Sequence, residues 1–282
     1  MADHAWWQMG VLDPQGVIGH AEHTILFNAT IVMLGIIGPV IVLTLIFAAW
    51  YRASNGRAVY WPNWNYSGSI EVVIWSVPTL IILFLGGMAW IGSHDLDPGR
   101  GLTAPARTIT IEIVSLDWKW LFIYPDQGIA SVNQLVIPAN TPVQFRLTSA
   151  TVMNSFFVPQ LGSQIYTMAG MVTTLNLVAD RPGTYPGISA QFSGDGFSDM
   201  TFKVQAVPDA QFRQWLQSAH QANKPLDSAA FQALAHQPGK IDPIVYSAID
   251  GALFSDVVAT AGQSALTPQP EGPIVRPKMD GS

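Results

Sequence analysis

The side chains able to do chemistry are few. Six histidines occur, His4, His20, His23, His94, His220 and His236, and cysteine is absent. The lack of Cys excludes disulfides, thiolate metal sites, Cys nucleophiles and iron–sulfur clusters together. Between Asp95 and Pro208 there is no imidazole either. That segment therefore cannot build a mononuclear blue-copper site, which takes two His and a Cys. No Ser/His/Asp arrangement, phosphate-binding loop or paired-carboxylate motif stands at useful spacing. What remains is Glu71 directly before an uncharged stretch, Arg52 and Arg57 far from any acid, the aromatic group Tyr60, Trp61, Trp64 and Tyr66 beside them, and Trp118 in an aromatic segment. Lys and Arg are scattered and the net charge is −6, which leaves no nucleic-acid footprint.

The elements that carry these residues follow from where charge is missing. Charged residues make up 11% of the chain against roughly 25% in ordinary soluble domains, so part of the surface must meet something other than water. From Thr24 to Tyr51 there is no charge, and Ile31 to Phe47 is almost wholly aliphatic. A second uncharged run extends from Val72 to His94. Each exceeds the roughly 20 apolar residues that cross a hydrocarbon core. Pro39 and Pro78 inside them are tolerated in membranes. Two spanning helices are expected, over 24–51 and 72–94, joined by a loop over 52–71. That loop carries Arg52 and Arg57, whereas the tail over 1–23 has Asp3, Asp13 and Glu22 and no Lys or Arg. The positive-inside rule then places the loop in the cytoplasm, with the amino tail and everything after His94 outside. No basic n-region precedes the first run, so a cleavable signal peptide is not expected.

Past Arg107 the texture changes. Thr108 to Ile113, Pro142 to Thr148, Thr173 to Val178 and Thr201 to Val204 alternate with period two. Pro125-Asp126-Gln127-Gly128, Pro138-Ala139-Asn140 and Arg181-Pro182-Gly183 punctuate them. Short strands without intervening helical pattern indicate a β-sandwich or Greek-key barrel and exclude βαβ units. Phe212, Trp215, Leu216 and Ala219 then recur at helical spacing, followed by a second helical segment around Ala229 to Leu234. The expected layout is a tail (1–23), a transmembrane hairpin (24–94), a β domain (95–208), a C-terminal helical extension (209–265) and a disordered tail (266–282). Met153, Met168 and Met171 are expected as core or contact filler.

Several stretches are familiar. Glu71-Val72-Val73-Ile74-Trp75-Ser76-Val77-Pro78, the aromatic segment Ser115-Leu116-Asp117-Trp118-Lys119-Trp120-Leu121-Phe122-Ile123-Tyr124-Pro125, and also Val152-Met153-Asn154-Ser155-Phe156-Phe157 and Leu161-Gly162-Ser163-Gln164-Ile165-Tyr166 resemble subunit II of the haem-copper terminal oxidases. Within that family the chain most resembles the bo-type ubiquinol oxidases. The resemblance, over roughly Val11 to Ala259, implies a cupredoxin-like barrel after the hairpin and a bacterial inner-membrane location.

In the copper-bearing branch of that family, an isolated His and a Cys-x-Glu-x-Cys-x3-His-x2-Met segment hold two copper ions. The matching positions here are Asn154, Ser189, Gln191, Ser193, Phe197 and Met200. Only the Met200 thioether is a copper donor, and alone it makes no site. The resemblance implies a subunit with no redox centre and no cytochrome c partner. The haems, the oxygen-reducing copper and most of the quinol site would lie on subunit I, with further membrane subunits, lipid and the quinol pool as neighbours. Family subunits carry an acid at the mouth of a proton-uptake channel, so Glu71 is a proton-entry candidate, although the helix dipole alone also favours a carboxylate there. Trp118 matches the residue through which electrons enter the copper centre, and without copper it equally reads as a packing or interface Trp. Arg52 and Trp75 are further interface candidates. A different class stays open: a membrane-tethered β-sandwich that binds a ligand or protein and has no redox role. Against it, one span suffices for tethering.

Overall fold

The structure is a computed structural model that describes residues 10–59, 61–102, 107–237 and 239–266. Tyr60, residues 1–9 of the expected tail and residues 267–282 of the expected disordered end lie outside the described residues. Two long helices come first, α1 (Val17–Trp50) and α2 (Gly68–Asp95). Both are long and apolar enough to cross a membrane. Their apolar side chains point outward on all sides, with Trp75 71% and Trp90 68% exposed. The Thr30, Thr44 and Thr79 hydroxyls donate to the carbonyls of Leu26, Val40 and Trp75, which spares the helices an unsatisfied polar group. The helices meet where Gly92 lacks a side chain: a Cβ there would stand 2.7 Å from Ile25 Cδ1.

α1 starts at Val17, earlier than the uncharged run. Its 34 residues give a rod of about 51 Å, against a hydrocarbon core of about 30 Å. Its polar first turns therefore continue beyond the apolar span.

The β domain contains β1 (Ile109–Leu116), β2 (Lys119–Tyr124), β3 (Ile129–Val132), β4 (Gln134–Pro138), β5 (Val143–Ser149), β6 (Asn154–Phe157), β7 (Ile165–Thr167), β8 (Thr173–Leu177), β9 (Gly183–Ser189) and β10 (Thr201–Val207). After it come α3 (Asp209–His220), β11 (Pro225–Leu226), α4 (Ser228–His236), β12 (Ile244–Tyr246), β13 (Ala248–Ile249) and α5 (Leu253–Leu266). A six-stranded sheet, β12-β3-β2-β1-β5-β8, faces a five-stranded sheet, β4-β10-β9-β6-β7, and β11 pairs with β13. Within the two large sheets two neighbouring pairs are parallel, β1 with β5 and β4 with β10, and the β11–β13 pair is parallel too. No helix makes the crossovers of the two large sheets; the chain changes sheets between the paired strands, as a Greek-key sandwich does.

Between the sheets lies an aromatic core. Phe156 stacks on Phe202 at 4.9 Å between ring centroids, and Trp120 meets their edges at 5.5 and 5.7 Å. The Tyr124 hydroxyl donates to Val136 O at 3.0 Å and accepts from Val136 N at 2.9 Å, tying β2 to β4 in the other sheet. Burial pushes its phenol above the usual range, so it stays a neutral donor.

The alternating pattern suggested strands with one buried face. Instead all of β2, and β1 from Ile111 onward, are buried. The C-terminal extension is the cause. Phe231, Leu234, Leu253, Phe254 and Val257 of α4 and α5 cover Val114, Leu116, Leu121 and Ile123, while β12 pairs with β3 along the sheet edge. The extension is thus a second core layer. Met153 and Met171 are surface residues, 40% and 53% exposed, and only Met168 is partly covered. The core-filler reading does not hold for the first two, because they sit in connecting loops outside both cores.

The hairpin and the β domain are joined by main chain. Gln15 N donates to Gln160 O, Gly19 N to Leu161 O and Asp180 N to Gln15 O, at 2.7, 3.1 and 2.8 Å. So close an approach requires glycine. A Cβ on Gly16 would run into Val178 O, and one on Gly19 would stand 2.9 Å from Gln160 O. Polar side chains of the protruding turns complete the joint: Ser163 Oγ donates to Glu22 Oε1, and His20 lies 3.6 Å from Asp180. Gly16→Ala is expected to destabilise the joint by about 1–3 kcal/mol through overpacking. Thermal unfolding of the detergent-solubilised protein should show it as a lower Tm, with Gly251→Ala, whose surroundings are open, leaving Tm unchanged.

Candidate functional site

Of the six positions matched to copper ligands, Asn154 and Ser189 meet through their side chains, and Gln191 and Met200 reach Ser189 through their main-chain carbonyls. Asn154 opens β6, Ser189 closes β9 and Met200 precedes β10, and all three are buried. The Ser189 hydroxyl has two acceptors in reach, Asn154 Oδ1 at 3.3 Å and Gln191 O at 3.4 Å. Its backbone N–H donates to Met200 O at 3.1 Å, and Asn154 Nδ2 donates to Val152 O at 3.1 Å. The group is held by its own hydrogen bonds. Chemically it offers a carboxamide, hydroxyls and one thioether, all neutral, without the thiolates or imidazoles that hold copper. These residues do not fit a copper ion. Among the described residues, no cluster of three or more His, Asp or Glu is placed to hold a metal ion elsewhere.

The loop between Ser189 and Met200 is pinned by Trp118. This residue sits in the β1–β2 turn at φ 57°. Its indole Nε1 donates to Ser193 O at 3.2 Å. Gly196 has room only for hydrogen there, since a Cβ would run into the Trp118 ring. The two aromatics of the loop, Phe192 and Phe197, stand 5.7 Å apart, with Phe192 71% exposed. Trp118 is half-buried and has a defined packing task, the clamping of the loop between Ser189 and Met200.

Sequence reading missed the residue next to it. Lys119 is 0% exposed, and its Nζ donates to Asp117 O at 2.9 Å and to Gln237 O at 2.5 Å. Asn133, at φ 55°, does related work: Oδ1 accepts from Trp120 N at 2.9 Å and Nδ2 donates to Ile241 O at 3.0 Å. These two polar side chains bind the C-terminal extension to the β1–β2 ribbon. A lysine inside a strand of aromatics was the available signal, since a charge there must find partners.

The remaining candidates lie far away on the hairpin and do not join this cluster. Glu71 is exposed in the first turn of α2, where its N–H donates to Ser67 O. Trp75 lies one turn further on the same helix, and Arg52 is exposed just past α1. No ion pair engages Glu71 or Arg52 among the described residues.

Burial lowers the Lys119 ammonium below its ordinary 10.5. The unfolded chain therefore keeps this proton to higher pH than the native one, and native stability gains as pH rises from the depressed value toward 10.5. Denaturant unfolding across alkaline pH should show that rise in the wild type and lose it in Lys119→Met.

Comparison with known proteins agrees with this arrangement. Residues 127–207 match the family model described as cytochrome c oxidase subunit II, periplasmic domain. The chain is 47% identical over 250 residues to the cytochrome bo(3) ubiquinol oxidase subunit 2 of Pseudomonas aeruginosa, covering 89% of this chain and 76% of that one. It is 46% identical over 272 residues to the ubiquinol oxidase subunit 2 of Acetobacter aceti, covering 95% and 88%. Among solved structures, the periplasmic domain of subunit II of cytochrome oxidase from Bradyrhizobium japonicum is similar at 24% identity and a TM-score of 0.40, over 43% of this chain and 98% of that one.

Proposed function

The chain belongs to the family of ubiquinol oxidase second subunits, and from that membership we propose how it serves a quinol:oxygen oxidoreductase of an aerobic respiratory chain. It is the subunit that carries no redox centre. The haems and oxygen-reducing copper belong to subunit I, and the chain supports assembly and the stability of that partner. The observation that carries this reading is the state of the former ligand positions. The Ser189 hydroxyl donates to Asn154 Oδ1 and its N–H to the Met200 carbonyl, and all three side chains are neutral.

An electron relay on the outer face serves a soluble donor such as cytochrome c. Quinol is dissolved in the bilayer and can deliver electrons inside it, which makes that relay unnecessary while the hairpin and barrel keep their structural task. The scarcity of charge at 11% and the helices apolar on all sides support burial against further membrane helices and lipid. The positive-inside rule supports a bacterial inner-membrane topology with Arg52 and Arg57 in the cytoplasm and the β domain in the periplasm.

The visible spectrum of the purified complex tests the donor. Ubiquinol is expected to reduce the haems, and reduced cytochrome c is expected to leave them oxidised. Reduction by cytochrome c alone, or a monodisperse haem-free chain in mild detergent, would overturn the assignment.

On this topology Glu71 stands at the cytoplasmic start of α2, exposed and without an ion-pair partner among the described residues, so it can take a proton from solvent and pass it toward subunit I. Glu71→Ala is expected to slow proton-coupled turnover severalfold and lower pumping, with haem content normal and Glu71→Asp restoring much of the rate. Oxygen consumption and pumping at wild-type level in Glu71→Ala would refute the role.

A further inference from the structure

The turn between α1 and α2 holds charges with no ion-pair partner among the described residues. Between Glu22 and Glu71 the sequence has no Asp or Glu, yet Arg52 and Arg57 lie there. Both arginines are exposed, and neither makes an ion pair among the described residues. Their placement is built. Asn55 folds the chain around itself: its Nδ2 donates to Trp50 O at 2.5 Å, its N–H to Arg52 O at 3.0 Å, and its Oδ1 accepts from Arg57 N at 3.2 Å. The Asn55 carbonyl also accepts from Ala58 N at 3.3 Å. One side chain thus brings the two arginines to either end of a single tight turn. Around that turn stand Trp50 and Tyr51 at the end of α1, and Trp61, Trp64 and Tyr66 on the way to α2, exposed by 54 to 71%.

The chemistry of this surface is specific. Guanidinium matches a phosphodiester bidentately and remains charged at any physiological pH. Trp and Tyr settle at the headgroup level, where an apolar ring and a polar edge are both satisfied. We infer that the hairpin turn binds the headgroup of an anionic phospholipid, with Arg52 and Arg57 on the phosphate and the aromatic side chains beside its glycerol and upper acyl region. The inference rests on the reading of α1 and α2 as membrane spans. Charge complementarity favours lipid as the occupant: two cations without an ion-pair partner among the described residues follow the end of a helix long and apolar enough to cross a membrane, with interface-seeking aromatics on both sides in the sequence.

The test uses the intact oxidase complex. The complex is delipidated by detergent exchange and titrated with phosphatidylglycerol, phosphatidylcholine or inorganic phosphate, with bound molecules counted by native mass spectrometry. Phosphatidylglycerol binding is expected to weaken about fivefold in Arg52→Gln or Arg57→Gln and about thirtyfold in the double variant. Phosphatidylcholine binding and haem content should be the same in all. Equal phosphatidylglycerol affinity in the double variant would overturn the inference. So would displacement of the lipid by inorganic phosphate, which marks a free-anion site, or loss of haem from the double variant, which marks a contact with a protein carboxylate. Wild-type chain lacking haem would instead refute the oxidase assignment, and the lipid titration on that same sample would still decide the inference.

Discussion

The placement of the β domain on the helical hairpin depends on a joint that tolerates no side chain. Gly16 and Gly19 let the first turn of α1 lie against the backbone of Gln160, Leu161 and Val178, and main-chain hydrogen bonds cross the gap. α1 is longer than a hydrocarbon core is thick, so one helix has length for both a span and the joint. A flexible linker would let the domain wander. A continuous helix bonded through its backbone fixes height and orientation together.

The strands that carry Asn154, Ser189 and Met200 are held by the hydrogen bond between Ser189 and Asn154, by the aromatic stack of Trp120, Phe156 and Phe202, and by Trp118 lying over Gly196. The outer face of the six-stranded sheet is closed by the C-terminal extension, clasped through Lys119 and Asn133. Two hydrophobic layers and buried polar clasps hold the domain together. The polar contacts also set which way the extension folds back, since a misplaced extension would leave a buried ammonium without acceptors.

The hairpin has the opposite character. Its helices touch near Ile25 and Gly92, and elsewhere their apolar surfaces look outward. A helix apolar all round is content in lipid or against other helices, but not in water. One end of the molecule is thus self-sufficient and the other is made to be surrounded.

The sequence by itself determined the features that depend on local composition. Two uncharged runs are each long enough to cross a bilayer, and the absence of Cys with no His between Asp95 and Pro208 rules out a blue-copper donor set there without any coordinates. The alternation at Thr108 to Ile113 and Pro142 to Thr148 was enough to place strands, because side chains in a strand point to opposite faces. What sequence could not give was decided by contacts between distant segments. The start of α1 at Val17, the burial of both faces of β2, the engagement of Lys119 by Gln237 and the meeting of Asn154 with Ser189 each join residues far apart in the chain. A local pattern records which faces are apolar. Only the folded chain decides what covers them, since that depends on which surfaces the backbone can bring within van der Waals and hydrogen-bond distance.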